Sequence, residues 1–174
     1  MTPGHSAGLP VLFLDRSLGR RQVPDLLRAA GIRLHTLAEV YGIPADEQVS
    51  DVDWLGHAGE RGWPVLMKDD RIRYRPAERA AVIAHGVQAF CLSSGNLRAS
   101  AMAHQFLAVL DDLAAVCQQP GPFLYTVSRP AYDGLISPLD SPRAIGQRRK
   151  AGQQCSCGWP TPIARAHTHQ GGPA

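Results

Sequence analysis

The chain has no apolar run long enough to span a bilayer, no basic leader ahead of its amino-terminal apolar stretch, and no acidic residue after Asp140. That stretch, "GLPVLFL", is only seven residues long. It is too short for a membrane helix and lacks the flanks of a secretory signal, so the expectation is a soluble protein with no membrane partner. Cysteine is also scarce, with four in 174 residues. Cys91 and Cys117 lie in apolar segments and read as small core residues, while Cys155 and Cys157 sit in a Gly- and Pro-rich stretch. No disulfide framework is required, which fits a reducing cytoplasm. A chain of this length can bury roughly two-thirds of its unfolded surface as one domain without staples.

The missing acids divide the molecule. Residues 1–140 carry 13 Lys and Arg against 15 Asp and Glu, a balance of −2, whereas residues 141–174 carry five cations and no acid. The first part is therefore not basic overall, but Lys68, Arg71, Arg73, Arg75 and Arg79 fall within twelve residues. A polyanion would be recruited there locally rather than by bulk charge.

Hydrophobic periodicity alternates between strand and helix. Leu9–Leu14 reads as a first strand. Val23, Leu26, Leu27 and Ala30 then repeat at helical spacing, with Pro24 in the first turn and Gly31 as terminator. "IRLHTL" is a second strand, residues 51–61 a second helix, Trp63–Met67 a third strand and Pro76–His85 a third helix. "VQAFCL" is a fourth strand, Ala99–Cys117 one long helix and "PFLYTV" a fifth strand. Five strands separated by helices imply right-handed crossovers, a mainly parallel sheet and helices on both faces. The expected fold class is α/β, a three-layer α/β/α arrangement over residues 9–136, after a flexible start at 1–8. From 137 to 174 the chain is Pro-, Gly- and Arg-rich with no apolar period, and a disordered basic tail is expected. Its Cys155, Cys157, His167 and His169 depart from the usual zinc spacings.

In a parallel sheet, sites lie beyond the carboxyl ends of the strands. Asp15 directly follows "VLFL" and Asp69 and Asp70 directly follow "WPVLMK", so aspartates end two strands expected to be neighbours. Ser50 and Asp53 have the Ser-x-x-Asp spacing of a helix cap, which accounts for Asp53 and leaves Asp51 freer to face the strand ends. Glu39, after the second strand, is a further candidate. Gathering carboxylates costs about 4 kcal/mol per pair at 4 Å with an effective dielectric near 20. A cation must offset this, and oxygen-only ligands favour Mg2+ or Mn2+ over zinc.

"FLDRSLGRR" followed by "SDVDWLGHAGERGWPVLMKDDRI" resembles the PIN-like domain, in the compact group related to VapC-type ribonuclease toxins, over about residues 10 to 128. Family members place an aspartate after the first strand, which matches Asp15. They also have an aspartate opening a helix eleven residues before a glycine and strand, matching Asp51 and Gly62, and an aspartate ending that strand, matching Asp69. The resemblance implies that Asp15, Asp51 and Asp69 are metal ligands and catalytic, with Glu39 closest to the family's remaining acid. The family often has Thr or Ser two residues before its last aspartate, where this chain has Met67. The implied activity is a Mg2+-dependent (or Mn2+-dependent) endoribonuclease, with RNA as substrate, a cognate antitoxin protein as partner and a homodimer as assembly. Lys68, Arg71, Arg73 and Arg75 would hold the RNA backbone, with Tyr74 as a stacking surface; the alternative for these cations is a solvated helix entry pairing with Glu78. Two other readings stay open: a non-catalytic PIN-like binding or regulatory module, and a receiver-like domain, for which "LYTVSRP" supplies only Arg129 where a lysine is expected.

Overall fold

A computed structural model describes residues 8–93 and 96–128 in full, and 136–138 as backbone. The basic tail beyond Pro138 lies outside the described residues. Five strands form a parallel sheet: β1 (Leu12–Leu14), β2 (Leu34–Thr36), β3 (Val65–Met67), β4 (Gln88–Leu92) and β5 (Phe123–Val127), in the order β2-β1-β3-β4-β5. A sixth strand, β6 (Ile136–Pro138), pairs antiparallel with β5, Val127 opposite Ile136. It straddles the expected boundary at 136, so regular backbone continues two residues further.

The strands read as continuous apolar runs because both faces of the sheet are covered. Leu12, Leu14, Leu66, Phe90 and Leu92 point to one face. There they meet Val23 and Leu27 of α1 (Gln22–Ala29), Met102 and Phe106 of α5 (Ala99–Ala108), and Leu113 of α6 (Leu110–Cys117). Phe13, Val65, Met67, Ala89 and Cys91 point to the other. They meet Trp54, Leu55 and Ala58 of α3 (Asp51–Glu60) and Ala81 and Val82 of α4 (Pro76–Ala84). Each buried side chain of this size contributes roughly 1.5–3 kcal/mol. Gly59 lets α3 approach the end of α4, since a Cβ there would stand 2.5 Å from the His85 carbonyl oxygen.

Three local readings change. Leu26 of α1 is 42 % exposed and lies outside the core stripe. The long helix expected at 99–117 breaks at Val109, whose backbone (φ −116°, ψ 20°) leaves the helical region, giving α5 and α6. A short helix, α2 (Leu37–Tyr41), follows β2, capped by the Thr36 hydroxyl, which accepts the Glu39 N–H at 3.3 Å. Among the described residues, no helix is long and apolar enough to cross a membrane.

Candidate active site

The chain leaves β1 toward β2 on one side and returns through α3 to β3 on the other, so β1 and β3 flank the point where the strand order reverses. Ligands of open α/β sheets bind beyond the strand ends at such a point. Phe13 pairs with Val65 and Leu14 with Leu66, and the Asp15 N–H donates to the Leu66 carbonyl at 3.0 Å, carrying the ladder one step past both strands. Asp15 is thereby fixed at the reversal point.

Asp15 is 6 % exposed. One carboxylate oxygen accepts the Ser17 backbone N–H at 3.1 Å, and the Ser17 hydroxyl accepts the Lys68 N–H at 2.9 Å, tying the turn after β1 to the end of β3. Burial pushes the Asp15 carboxyl above the ordinary 3.8; the Ser17 hydrogen bonds oppose this and repulsion from Asp51 adds to it. Among the described residues no ion pair reaches Asp15. A buried carboxylate without a cation is costly, and a positive charge would relieve it.

The other acids arrive from three elements. Asp51 opens α3 behind the Ser50 cap, and its Oδ1 accepts the Trp54 indole N–H at 2.9 Å, which fixes its rotamer. Asp53 takes the capping role expected of it, with its N–H on the Ser50 hydroxyl at 3.2 Å. Asp69 caps the 3-10 turn at Asp70–Tyr74. Glu78, in the first turn of α4, completes the group. One nitrogen, Arg75 Nη1, lies 3.5 Å from Asp51, 3.7 Å from Asp69 and 3.0 Å from Glu78. Arg16 reaches Asp51 at 3.7 Å while donating to the Glu47 and Val49 carbonyls. The Arg71 guanidinium beside Asp69 holds its carboxyl below the ordinary value. Glu78 shifts up, first through burial, with Asp51 and Asp69 repulsion contributing and Arg75 opposing.

Asp15, Asp51 and Asp69 thus stand at one end of the sheet, as the strand-end argument required. Glu39 does not join them. Its carboxylate accepts the Thr36 N–H at 3.0 Å and pairs with Arg28 at 2.6 Å, beside the edge strand β2. The cations expected to face RNA are drawn to acids: Arg71 clamps Asp69 through two bonds of 2.9 and 3.2 Å, Arg73 reaches Asp70 at 3.4 Å, and Arg75 serves three carboxylates. Lys68 makes no ion pair among the described residues. Tyr74 is 70 % exposed, with the Arg73 guanidinium 4.5 Å from its ring centre. Met67 is buried under the sheet and supplies nothing to the group; the nearby hydroxyl is that of Ser17. Sequence reasoning missed Ser17 and Arg16, and offered Glu78 only as an ion-pair partner for the cations; the Arg75–Glu78 pair forms at 3.0 Å.

An all-oxygen donor set with excess negative charge suits a hard divalent cation. Among the described residues no three His, Cys, Asp or Glu side chains are already gathered as a metal-holding group; guanidinium groups are interposed between the carboxylates.

A family described as "PIN like domain" matches residues 10–94, a span containing all four acids and the cations around them. Over 121 residues the chain is 42 % identical to "Putative ribonuclease VapC45" of Mycobacterium tuberculosis, covering 70 % of this chain and 88 % of that protein. No solved structure matches it significantly. With the three-layer fold and aspartates at the reversal point, these matches make the chain a member of the PIN-like domain family.

Proposed function

We propose that this protein is a Mg2+- or Mn2+-dependent endoribonuclease, the toxin of a toxin–antitoxin pair. The observation that carries this reading is the acid excess at the reversal point: buried Asp15, with no cation among the described residues, beside three carboxylates sharing one Arg75 nitrogen. Asp15, Asp51 and Asp69, with Glu78, would hold the metal. When bound, such an ion lowers the pKa of a water that attacks the phosphodiester and neutralises charge on the phosphate.

The chain's own residues do the positioning. Ser17 orients Asp15, the Trp54 indole orients Asp51, and the turn at Asp70 orients Asp69. Lys68, Arg71, Arg73 and Arg75 line one side of the group, where they would hold phosphates of the RNA backbone, and exposed Tyr74 offers a face for a base. The relative named as a ribonuclease supports RNA as substrate. A cognate antitoxin protein and a homodimer are the partners this reading expects.

A non-catalytic module is the second reading, favoured by the arginines already seated on the carboxylates. Incubating the purified protein with mixed RNA separates the two. Cleavage that appears with Mg2+ or Mn2+, stops with EDTA and is lost in Asp15→Asn supports the nuclease. Absent cleavage leaves the binding module, and metal-independent cleavage overturns the metal-dependent reading.

A further inference from the structure

Arg75 is placed in the acid group by the backbone. It sits between the 3-10 turn and α4, and Pro76 at the first position of α4 disfavours a helical conformation in the residue before it. Arg75 is accordingly extended, at φ −95° and ψ 112°. From there a single nitrogen contacts carboxylates of α3, of the turn after β3 and of α4. Arg16 also reaches Asp51 and Arg71 also clamps Asp69, but Arg75 alone bridges all three acids. The Arg75 side chain is 41 % exposed, so it can turn toward solvent without opening the core.

We propose that Arg75 is a built-in counter-cation: it holds Asp51, Asp69 and Glu78 together in the metal-free protein, and a divalent ion must displace it to bind. This rests on the metal-binding reading above. A dication carries twice the charge and binds carboxylate oxygens more closely than a guanidinium does, so it wins the shared oxygens once its concentration is sufficient. Arg75 thus sets the metal concentration at which the site fills. Once displaced, the guanidinium stands at the rim, where a phosphate can take it.

The test is calorimetric titration of Mn2+ into the full chain without RNA, for wild type, Arg75→Met and Arg75→Lys. Arg75→Met should bind Mn2+ about tenfold more tightly, or about 1.4 kcal/mol, a modest gain because the displaced pairs are partly exposed. Its metal-free form should melt lower and gain more from Mn2+ than wild type does. Arg75→Lys, which keeps the charge, should stay near wild type. Equal affinity in wild type and Arg75→Met would overturn the competition and leave the metal site standing, and weaker binding in Arg75→Met would make Arg75 a support of the site instead. No Mn2+ binding in any form would remove the metal reading itself. If Arg75→Met fails to fold, wild type still answers: the Arg75 side-chain N–H resonance should shift on Mg2+ titration with the same midpoint as binding, and an unmoved resonance overturns the proposal.

Discussion

Asp46 and the acid group at the strand ends both draw arginines, but the cations are shared differently. Arg20 meets both oxygens of Asp46 at 3.0 Å and reaches Glu47 at 2.7 Å. Asp46 is 2 % exposed, so its carboxylate is buried with a bidentate partner, the arrangement in which a buried charge is best satisfied. This pair braces the turn at Ala45–Glu47 against the segment after β1. At the strand ends one Arg75 nitrogen is divided among three acids, two of which Arg16 and Arg71 also reach, and among the described residues no cation meets buried Asp15. Deep burial is therefore not what distinguishes the two groups. The distinction is whether the buried carboxylate has a cation of its own, as Asp46 has Arg20, or meets none among the described residues, as with Asp15, which leaves that place suited to an added cation.

The largest effect expected from this contrast is on activity. Asp15→Asn and Asp69→Asn should each take metal-dependent RNA cleavage to background, and each should lose most of the thermal stabilisation that Mg2+ gives wild type, because a ligand stabilises only the state that binds it. Their metal-free stabilities should differ in sign at pH 7. Asn at 15 removes a desolvated charge and can still accept the Ser17 N–H, so Asp15→Asn should be as stable as wild type or more so. Asn at 69 gives up the pairs with Arg71 and Arg75 and should be slightly less stable. Normal cleavage by either variant would end the distinction between brace and site.

Next in size is Asp46→Ala. Removing a buried, bidentate carboxylate should cost about 2 kcal/mol in urea unfolding with EDTA present, while Mn2+ affinity stays at the wild-type value. A fall in metal affinity without loss of stability would place Asp46 in the site and erase the contrast.

Acid titration of the metal-free protein sharpens it further, with a smaller effect than that of Asp46→Ala. The folded pKa of Asp15 is raised, so the stability from its protonated form is complete below the ordinary value of 3.8 and is lost as pH rises through the folded pKa. The folded pKa of Asp69 is lowered, so its contribution is present above 3.8 and is lost as pH falls through the folded pKa. Relative to Asp15→Asn, wild type should therefore gain stability as pH falls toward 4. Relative to Asp69→Asn, it should lose stability as pH falls further, below 3.8. Parallel curves for the two comparisons would show that the carboxylates share one environment.

These sites were legible to different depths, for physical reasons. The strands could be read because burial on both faces makes them unbroken apolar runs, and Asp15 and Asp69 followed from where those runs stop. Asp51 was separable from Asp53 because the Ser-x-x-Asp cap uses one acid of the two. Glu78 was legible as an ion-pair partner of the cations but not as a member of the acid group, and Arg16 and Ser17 were not legible, since what they touch is set by α4 and the turn after β1 folding back over the strand ends. The break at Val109 left no Gly or Pro to mark it. The pairing of Arg71, Arg73 and Arg75 with acids was hidden in another way: a run of cations has the same sequence whether it faces phosphate or carboxylate.

Glu39 gives the smallest expected effect. Its location after β2 made it a catalytic candidate, but "TLAE" is also Thr-x-x-Glu, the capping-box spacing, and at this point the local pattern decides. The Thr36 hydroxyl and the Glu39 carboxylate exchange hydrogen bonds with each other's backbone N–H, and Arg28 closes the remaining side of the carboxylate. Burial, the largest single influence, pushes the Glu39 pKa up, but the Thr36 N–H and then Arg28 stabilise the ionised form and together hold it below its ordinary value. Glu39 is therefore a second brace, weaker than Asp46 because both partners are exposed to solvent. Glu39→Gln keeps an oxygen for the Thr36 N–H and loses only the ion pair, so it should cost about 0.5 kcal/mol and leave Mn2+ affinity and RNA cleavage at wild-type values. Glu39→Ala, which also loses the box, should cost about 1 kcal/mol with the same unchanged cleavage. Cleavage that fell in Glu39→Gln while stability held would move this carboxylate from the braces to the site, and β2 would then have to contribute to the chemistry alongside β1 and β3.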